Sequence, residues 1–313
     1  VMRCLALAEA LTAAGAVVSW VAAVSTVPWL AESFSRRGIK ASEPLNESTA
    51  TLNAITDSRP SVVVVDSYTD RTQLAQELKR RNVRVVGIAD EFTPPFLADL
   101  YVCPGIRARW VEATTSRVIS GPEHVLIREE IRDLRPHLWI PRPCSSPRRI
   151  ALRLGGTDGD GAAPLLLGLL SGLSFISHLD VSPDTHETVR TVRDLSSEAR
   201  DRIRLTPAGP DSFRRAAGAD VVVTSGGVSV WELACAGVPQ VVVETSLDQR
   251  PNVDWFQNQG CGASIGTLSA IQSDTCSATE RLQELLADEA GLQLRARTAW
   301  ERIDGLGTER VAQ

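Results

Sequence analysis

Val221-Val222-Val223-Thr224-Ser225-Gly226-Gly227-Val228-Ser229-Val230-Trp231-Glu232 holds a strand, a break and a helix start in one short segment. The β-branched run predicts a buried strand, and the apolar stretch Leu233-Ala234-Cys235-Ala236 predicts a helix. A strand that stops at two glycines and restarts as a helix presents bare backbone N–H groups at the positive end of a helix dipole, where an anion is stabilised. Gly226, Gly227, Val228 and Ser229 are therefore candidate phosphate ligands. Glu232, read as about two turns into the helix, is placed to accept hydrogen bonds from a ribose. A P-loop would require a Gly-Lys-Ser/Thr ending, which this segment lacks.

Downstream, Gly237-Val238-Pro239 turns the chain into the apolar run Gln240 to Glu244, followed by the polar stretch Ser246-Leu247-Asp248-Gln249-Arg250-Pro251-Asn252. Asp248, Gln249 and Asn252 fit either sugar or phosphate binding or a solvated loop. Upstream, Arg149 to Leu154 predicts a strand ending in Gly155-Gly156-Thr157-Asp158-Gly159-Asp160-Gly161, ahead of a helix over Ala162 to Leu173. Glycine and aspartate are common in any turn. Two glycine turns after strands in the same half of the chain carry more weight than either alone. Ile203 to Leu205 reads as a short strand, Asp211 to Ala217 as a helix and Asp220 to Thr224 as the strand before the second turn.

The first half repeats the alternation. Ser61 to Val65 ends at Asp66, Arg71 to Arg81 looks helical, and Val83 to Ile88 ends just before Asp90. Continuous β-branched runs alternating with helices indicate α/β units with parallel sheets covered on both faces. Ligands of such sheets lie at the carboxyl ends of the strands, where Asp66, Tyr68, Asp70 and Asp90 fall. Acidic residues at these places also end strands or cap the next helix. Pro136, Pro141, Pro143 and Pro147 with Ser145-Ser146 make a stiff connector, which predicts two domains, 1–143 and 144–313.

The 313 residues and 43% hydrophobic content suffice for two cores. A formal charge of -5 gives no reason to expect a nucleic-acid partner. Basic charge is almost all arginine, with Lys40 and Lys79 the lysines, and carries no functional weight. The six cysteines form no CxxC pair, so reduced structural thiols in a cytoplasmic protein are expected. No metal-ligand spacing and no cofactor signature stand out. Val1 to Ala23 is apolar, but Glu9 and Gly15 interrupt it, so it reads as a helix and then a strand over Ala16 to Val24 rather than a secretory signal. No run is long and apolar enough for a membrane span.

Several segments together carry a family resemblance: Val1-Met2-Arg3-Cys4-Leu5-Ala6-Leu7-Ala8; Val65-Asp66-Ser67-Tyr68; Gly121-Pro122-Glu123 with Leu126-Ile127-Arg128-Glu129-Glu130; Leu154 to Asp158; Ser225 to Glu232; and Ile303 to Ala312. In this order they resemble the nucleotide-sugar hydrolases of pseudaminic acid biosynthesis and their spore coat polysaccharide relatives. More distantly, the chain is similar to the lipid-intermediate N-acetylglucosaminyltransferase of peptidoglycan synthesis. The resemblance spans nearly the whole chain. It implies a glycosyltransferase-B-like fold of two Rossmann-like domains facing a central cleft, with the last helix packed back on the first domain.

Members of the family hydrolyse a UDP-linked 2,4-diacetamido-2,4,6-trideoxy sugar. Carried onto this chain, Gly226 to Ser229 would hold the diphosphate and Glu232 the ribose. Gly155, Gly156 and Thr157 would line the substrate side with Asp248, Gln249 and Asn252, while Tyr68 and Asp66 would take part in catalysis. Trp231 reads as helix packing. The family's general-base histidine follows a first strand and would stand just ahead of Val1, so that strand and base are expected to be missing. None of His124, His137, His178 and His186 matches the base. Cys103-Pro104-Gly105 and Leu247-Asp248-Gln249 depart from the family pattern at positions expected to face the sugar, so the sugar is expected to differ. The expected reaction is water attack at the anomeric carbon with UDP leaving. The alternatives are a transferase using the same donor and an idle nucleotide-sugar-binding protein.

Overall fold

The structure, a computed structural model, describes residues 1–313 apart from 22–27, 44–47, 143–147, 156, 157, 159 and 184. The chain divides into two compact units, Val1–Arg128 with Leu306–Gln313, and Glu129–Gly305.

In the first unit the opening helix Met2–Ala13 leads to β1 (Ser19–Val21), which pairs in parallel with β2 (Lys40–Ser42). A second parallel sheet runs in the order β3 (Val62–Asp66), β4 (Arg84–Ile88), β5 (Leu100–Pro104), β6 (Arg117–Gly121). The valine run of β3 forms the strand its composition predicts, and the helix Thr72–Arg80 follows it. Val65, Val85 and Tyr101 pack with Ala75 and Leu78 of that helix into one core. Residues 22–24 of the predicted strand Ala16 to Val24 lie outside the described residues, and the strand that is described begins only at Ser19.

The helix Gly307–Ala312 is built into this same unit. Ala6 and Leu7 of the opening helix share a cluster with Ile88 and Leu126, against which Val311 and Ala312 pack. Thr308 is 3% exposed. Its Oγ1 accepts from the Ile127 N–H at 2.8 Å and donates to the Ile127 carbonyl at 2.9 Å. Gly307 presses so closely on Val125 that a β-carbon there would stand 2.4 Å from its carbonyl oxygen. The Gly-Thr pair near the end of the chain is thus a clasp on the Val125–Ile127 segment.

The second unit holds a six-stranded parallel sheet in the order β12-β11-β10-β7-β8-β9, where β7 is Arg148–Arg153, β8 Ile176–Ser182, β9 Ile203–Leu205, β10 Val221–Ser225, β11 Gln240–Glu244 and β12 Ala263–Thr267. Counted within the unit this is the doubly wound order 3-2-1-4-5-6, whose strand sequence reverses between β7 and β10. Every residue of β10 and β11 is buried, as continuous valine runs covered on both faces require. Leu152, Val223 and Val243 pack with Leu166, Leu170 and Leu282 in its core.

The boundary lies at 128/129 rather than at 143/144. Arg135 explains part of the shift: its Nη1 donates to the Cys235 and Ile303 carbonyls at 3.0 and 2.8 Å, and its guanidinium lies 4.3 Å over the Trp300 ring. Arg142 donates to the Ala217 and Ala236 carbonyls, and its own backbone exchanges hydrogen bonds with the Gln293 side chain. The proline-rich stretch up to residue 142 is a strap on the second unit, not a free linker.

Candidate functional site

Both glycine turns of the second unit leave strands that flank the reversal point of its sheet: Gly155 follows β7 and Gly226 follows β10. Ligands of doubly wound sheets bind at that point, outside the carboxyl ends of the strands. Thr224 Oγ1 ties the two strand ends together by donating to the Arg153 carbonyl at 2.8 Å.

The two turns differ in what fills the helix start that follows them. In the first, Asp158 accepts from the Ala162 and Ala163 N–H groups at 2.9 Å each, so the helix Ala162–Ser171 is capped by its own carboxylate. Burial, followed by the charges of Asp160 and Glu187, raises the Asp158 pKa against the pull of those two amides. Gly155 sits at φ +72°, a left-handed geometry suited to glycine; Gly156 and Thr157 lie outside the described residues. Among the described residues, no side chain caps the helix Val228–Cys235 that follows the second turn, and its first turn holds no acidic residue. Its positive end is the better placed of the two to receive an anion.

The turn itself is tightly held. Gly226 N–H is shared between the Val243 carbonyl at 3.1 Å and Gln249 Oε1 at 2.9 Å, and Asn252 Nδ2 donates to the Gly226 carbonyl at 2.9 Å. A β-carbon on Gly226 would stand 2.5 Å from Val253 Cγ2, whereas one on Gly227 would meet nothing within 4 Å. Gly226 is thus required by packing, and Gly227 borders open space. Since Gly226 N–H is already engaged inside the protein, the amides left to face an anion begin at Gly227. Ser229 is buried, and Glu232 is 2% exposed in the fifth position of the helix, a little over one turn in rather than two. Trp231 packs against Trp255 and Phe256, with ring centroids 4.9 and 4.8 Å away. Asp248 is exposed, while Gln249 and Asn252 are half-buried.

In the first unit the carboxyl edge of the sheet carries a charged cluster. Arg3 grips Asp66 through Nη2 to Oδ1 at 2.6 Å and Nε to Oδ2 at 2.9 Å, and reaches Asp90 Oδ2 through Nη1 at 3.0 Å. Tyr68, exposed, donates its hydroxyl to Asp90 Oδ2 at 2.7 Å and lies under the Arg3 guanidinium at 5.7 Å. Burial alone would raise the Asp66 pKa, but the hydrogen bonds and charge of Arg3 outweigh it and hold the carboxyl below its ordinary range. The Cys4 thiol, 3.1 Å from Asp66 Oδ2, is pushed up by burial and by that carboxylate. Asp66 is thus an ionised, bidentately paired carboxylate and a weak base. Asp70 caps the next helix by accepting from Thr72 N–H at 2.8 Å. Cys103, expected to face a sugar, is instead wholly buried in β5.

No family model matches the chain. A 180-residue stretch is 21% identical to the spore coat polysaccharide biosynthesis protein SpsG of Bacillus subtilis, covering 54% of this chain and 50% of that protein, so the match spans about half of the relative's length. Among solved structures, the S. aureus MnaA–UDP complex superposes with a TM-score of 0.67 at 17% identity, over 99% of this chain and 91% of that one. The spinosyn rhamnosyltransferase SpnG, complexed with spinosyn aglycone, gives 0.63 at 18% identity over 96% and 92%. The chain has their fold. It is an α/β protein of two Rossmann-like domains with parallel sheets, of the glycosyltransferase-B type.

Asp90 was placed by the sequence at the ligand edge with Asp66 and Tyr68, whereas Arg3 and Thr245 were not singled out as working residues. Arg3 stood in the Val-Met-Arg-Cys quartet, which was the signal present. Thr245 had none. Among the described residues, no cluster of His, Cys, Asp and Glu could hold a metal ion, and no helix is long and apolar enough to cross a membrane.

Proposed function

We propose that the chain is a nucleotide-sugar enzyme that binds a UDP-sugar and cleaves it by water attack at the anomeric carbon, releasing UDP and the free sugar. The observation that carries this reading is the uncapped start of the helix Val228–Cys235, at the reversal point of the second unit's sheet. The UDP held by the similarly folded MnaA supports the choice of nucleotide, and the likeness to a polysaccharide biosynthesis protein supports the sugar.

In this reading the Gly227, Val228 and Ser229 amides and the helix dipole receive the diphosphate. They stabilise the charge that gathers on it as the glycosidic bond breaks. Glu232 takes the ribose. Tyr68, exposed with its hydroxyl held by Asp90, meets the sugar. Asp66 acts by fixing Arg3 rather than by taking a proton, because its pairing keeps it ionised and weakly basic.

Transfer to an acceptor is the second reading, favoured by the shared fold of a rhamnosyltransferase that carries its aglycone. UDP release from a panel of UDP-sugars by the full-length protein, with and without sugar and lipid acceptors, tests both. Release that needs no acceptor is the expected result. Release only with an acceptor replaces hydrolysis by transfer, and UDP binding without release leaves a binding protein.

A further inference from the structure

Gln249 has the residue type and the loop position of a sugar ligand, yet its side chain is committed to the protein. Its Oε1 accepts from the N–H groups of Gly226 at 2.9 Å and Thr245 at 3.2 Å, and its Nε2 donates to Thr245 Oγ1 at 2.9 Å. Two backbone donors facing one atom fix it as the oxygen and fill both of its lone pairs. Thr245 Oγ1 in turn donates to Asp160 Oδ2 at 2.9 Å, in the first glycine turn. A relay Asp160–Thr245–Gln249–Gly226 therefore joins the turn after β7 to the turn after β10.

Asn252 completes the hold from the next helical turn. Its Nδ2 donates to the Gly226 carbonyl at 2.9 Å. That carbonyl belongs to the same planar trans peptide as the Gly227 N–H, and the two point in opposite directions. Fixing the carbonyl on Asn252 aims the Gly227 N–H the other way, toward the open side where a β-carbon would meet nothing within 4 Å. Gln249 holds the preceding peptide through the Gly226 N–H. Two successive peptides are thus clamped, one by Gln249 and one by Asn252 in the first turn of the helix Arg250–Asn258.

We propose that Gln249 and Asn252 are positioning residues that aim the Gly227–Ser229 amides at the diphosphate, and that Gln249 is not a sugar contact. This rests on the reading that those amides receive a nucleoside diphosphate. The ligand to which the two residues answer is then the diphosphate shared by UDP and every UDP-sugar.

The test compares UDP and UDP-N-acetylglucosamine binding by calorimetry for wild type, Q249L, Q249E and N252A, with thermal melting to establish that each variant is folded at the assay temperature. Q249L and N252A are expected to lose about tenfold in affinity for both ligands by the same factor, the scale of one misplaced hydrogen bond. Q249E is expected to bind poorly at pH 7 and to recover toward wild type as the pH falls, because a protonated carboxyl again offers one accepting oxygen and one donor. A Q249L variant that keeps wild-type UDP affinity and loses only the sugar nucleotide overturns the positioning role. So does a Q249E variant without recovery. Wild-type protein that fails to bind UDP overturns the underlying diphosphate reading and the inference with it.

Discussion

Gly226 and Gly227 are adjacent and chemically identical, yet they answer to different demands. A methyl group on Gly226 would be driven into Val253, 2.5 Å from its Cγ2. G226A should therefore lower stability by about 1–3 kcal/mol, the range for forced overpacking. Gly227 has φ -78° and ψ -152°, which any residue adopts, and open space on its free side. G227A should melt close to wild type and lose UDP affinity, because its methyl enters the space the diphosphate needs. Melting curves and UDP titrations of the pair check this; equal stability losses would refute the division. At Asp66 the sign of the pH effect is fixed by its lowered pKa. Its contribution to stability is present above the unfolded value near ~3.9 and is lost as the pH falls through the lower folded one. D66N should cost roughly 3 kcal/mol at neutral pH by leaving Arg3 without its main partner. It should also flatten the acid limb of stability below about pH 4, as urea unfolding at falling pH would record.

Among the elements, the strands were the most legible in the sequence. Val62–Asp66, Arg84–Ile88, Val221–Ser225 and Gln240–Glu244 fall within a residue or two of their predicted spans, because unbroken β-branched runs leave few alternatives to a buried parallel strand. The site was legible only as backbone. A glycine pair between strand and helix announces itself locally. The partners that hold it, Gln249 and Asn252, lie more than 20 residues away, and Asp160 is 85 residues from Thr245. Side-chain pairing over such separations leaves no periodic trace. The boundary was misjudged for a related reason, since Arg135 and Arg142 bind carbonyls, and a carbonyl is present at every residue. The clasp of the helix Gly307–Ala312 yields a sharp prediction at this scale. T308V should destabilise the first unit by roughly 3 kcal/mol, through a buried N–H and a buried carbonyl both left unpaired. T308S should restore most of that loss. Chemical denaturation followed by the first unit's three tryptophans, Trp20, Trp29 and Trp110, would read both variants.

The molecule as a whole consists of one unit made from two separate stretches of sequence and one made from a single stretch. Removing Leu306–Gln313 should raise hydrogen exchange through the first unit, notably at Leu5 to Ala8 and Val125 to Ile127, while β7, β10 and β11 keep their protection. UDP should do the reverse, adding protection to the second unit at the turn after β10, by about 2.7 kcal/mol of stabilisation at a hundred times its dissociation constant. Mass-resolved exchange on the two proteins distinguishes these patterns. Loss of protection across both units on truncation would contradict the division. The assignment of Leu306–Gln313 to the first unit also bears on how the protein is made. A ribosome releases the helix Met2–Ala13 and the strands β1 to β6 ahead of Glu129–Gly305, but their clasp only after the whole of that stretch has been translated. The second unit can fold as soon as it emerges, whereas the first, although encoded earlier, is finished later.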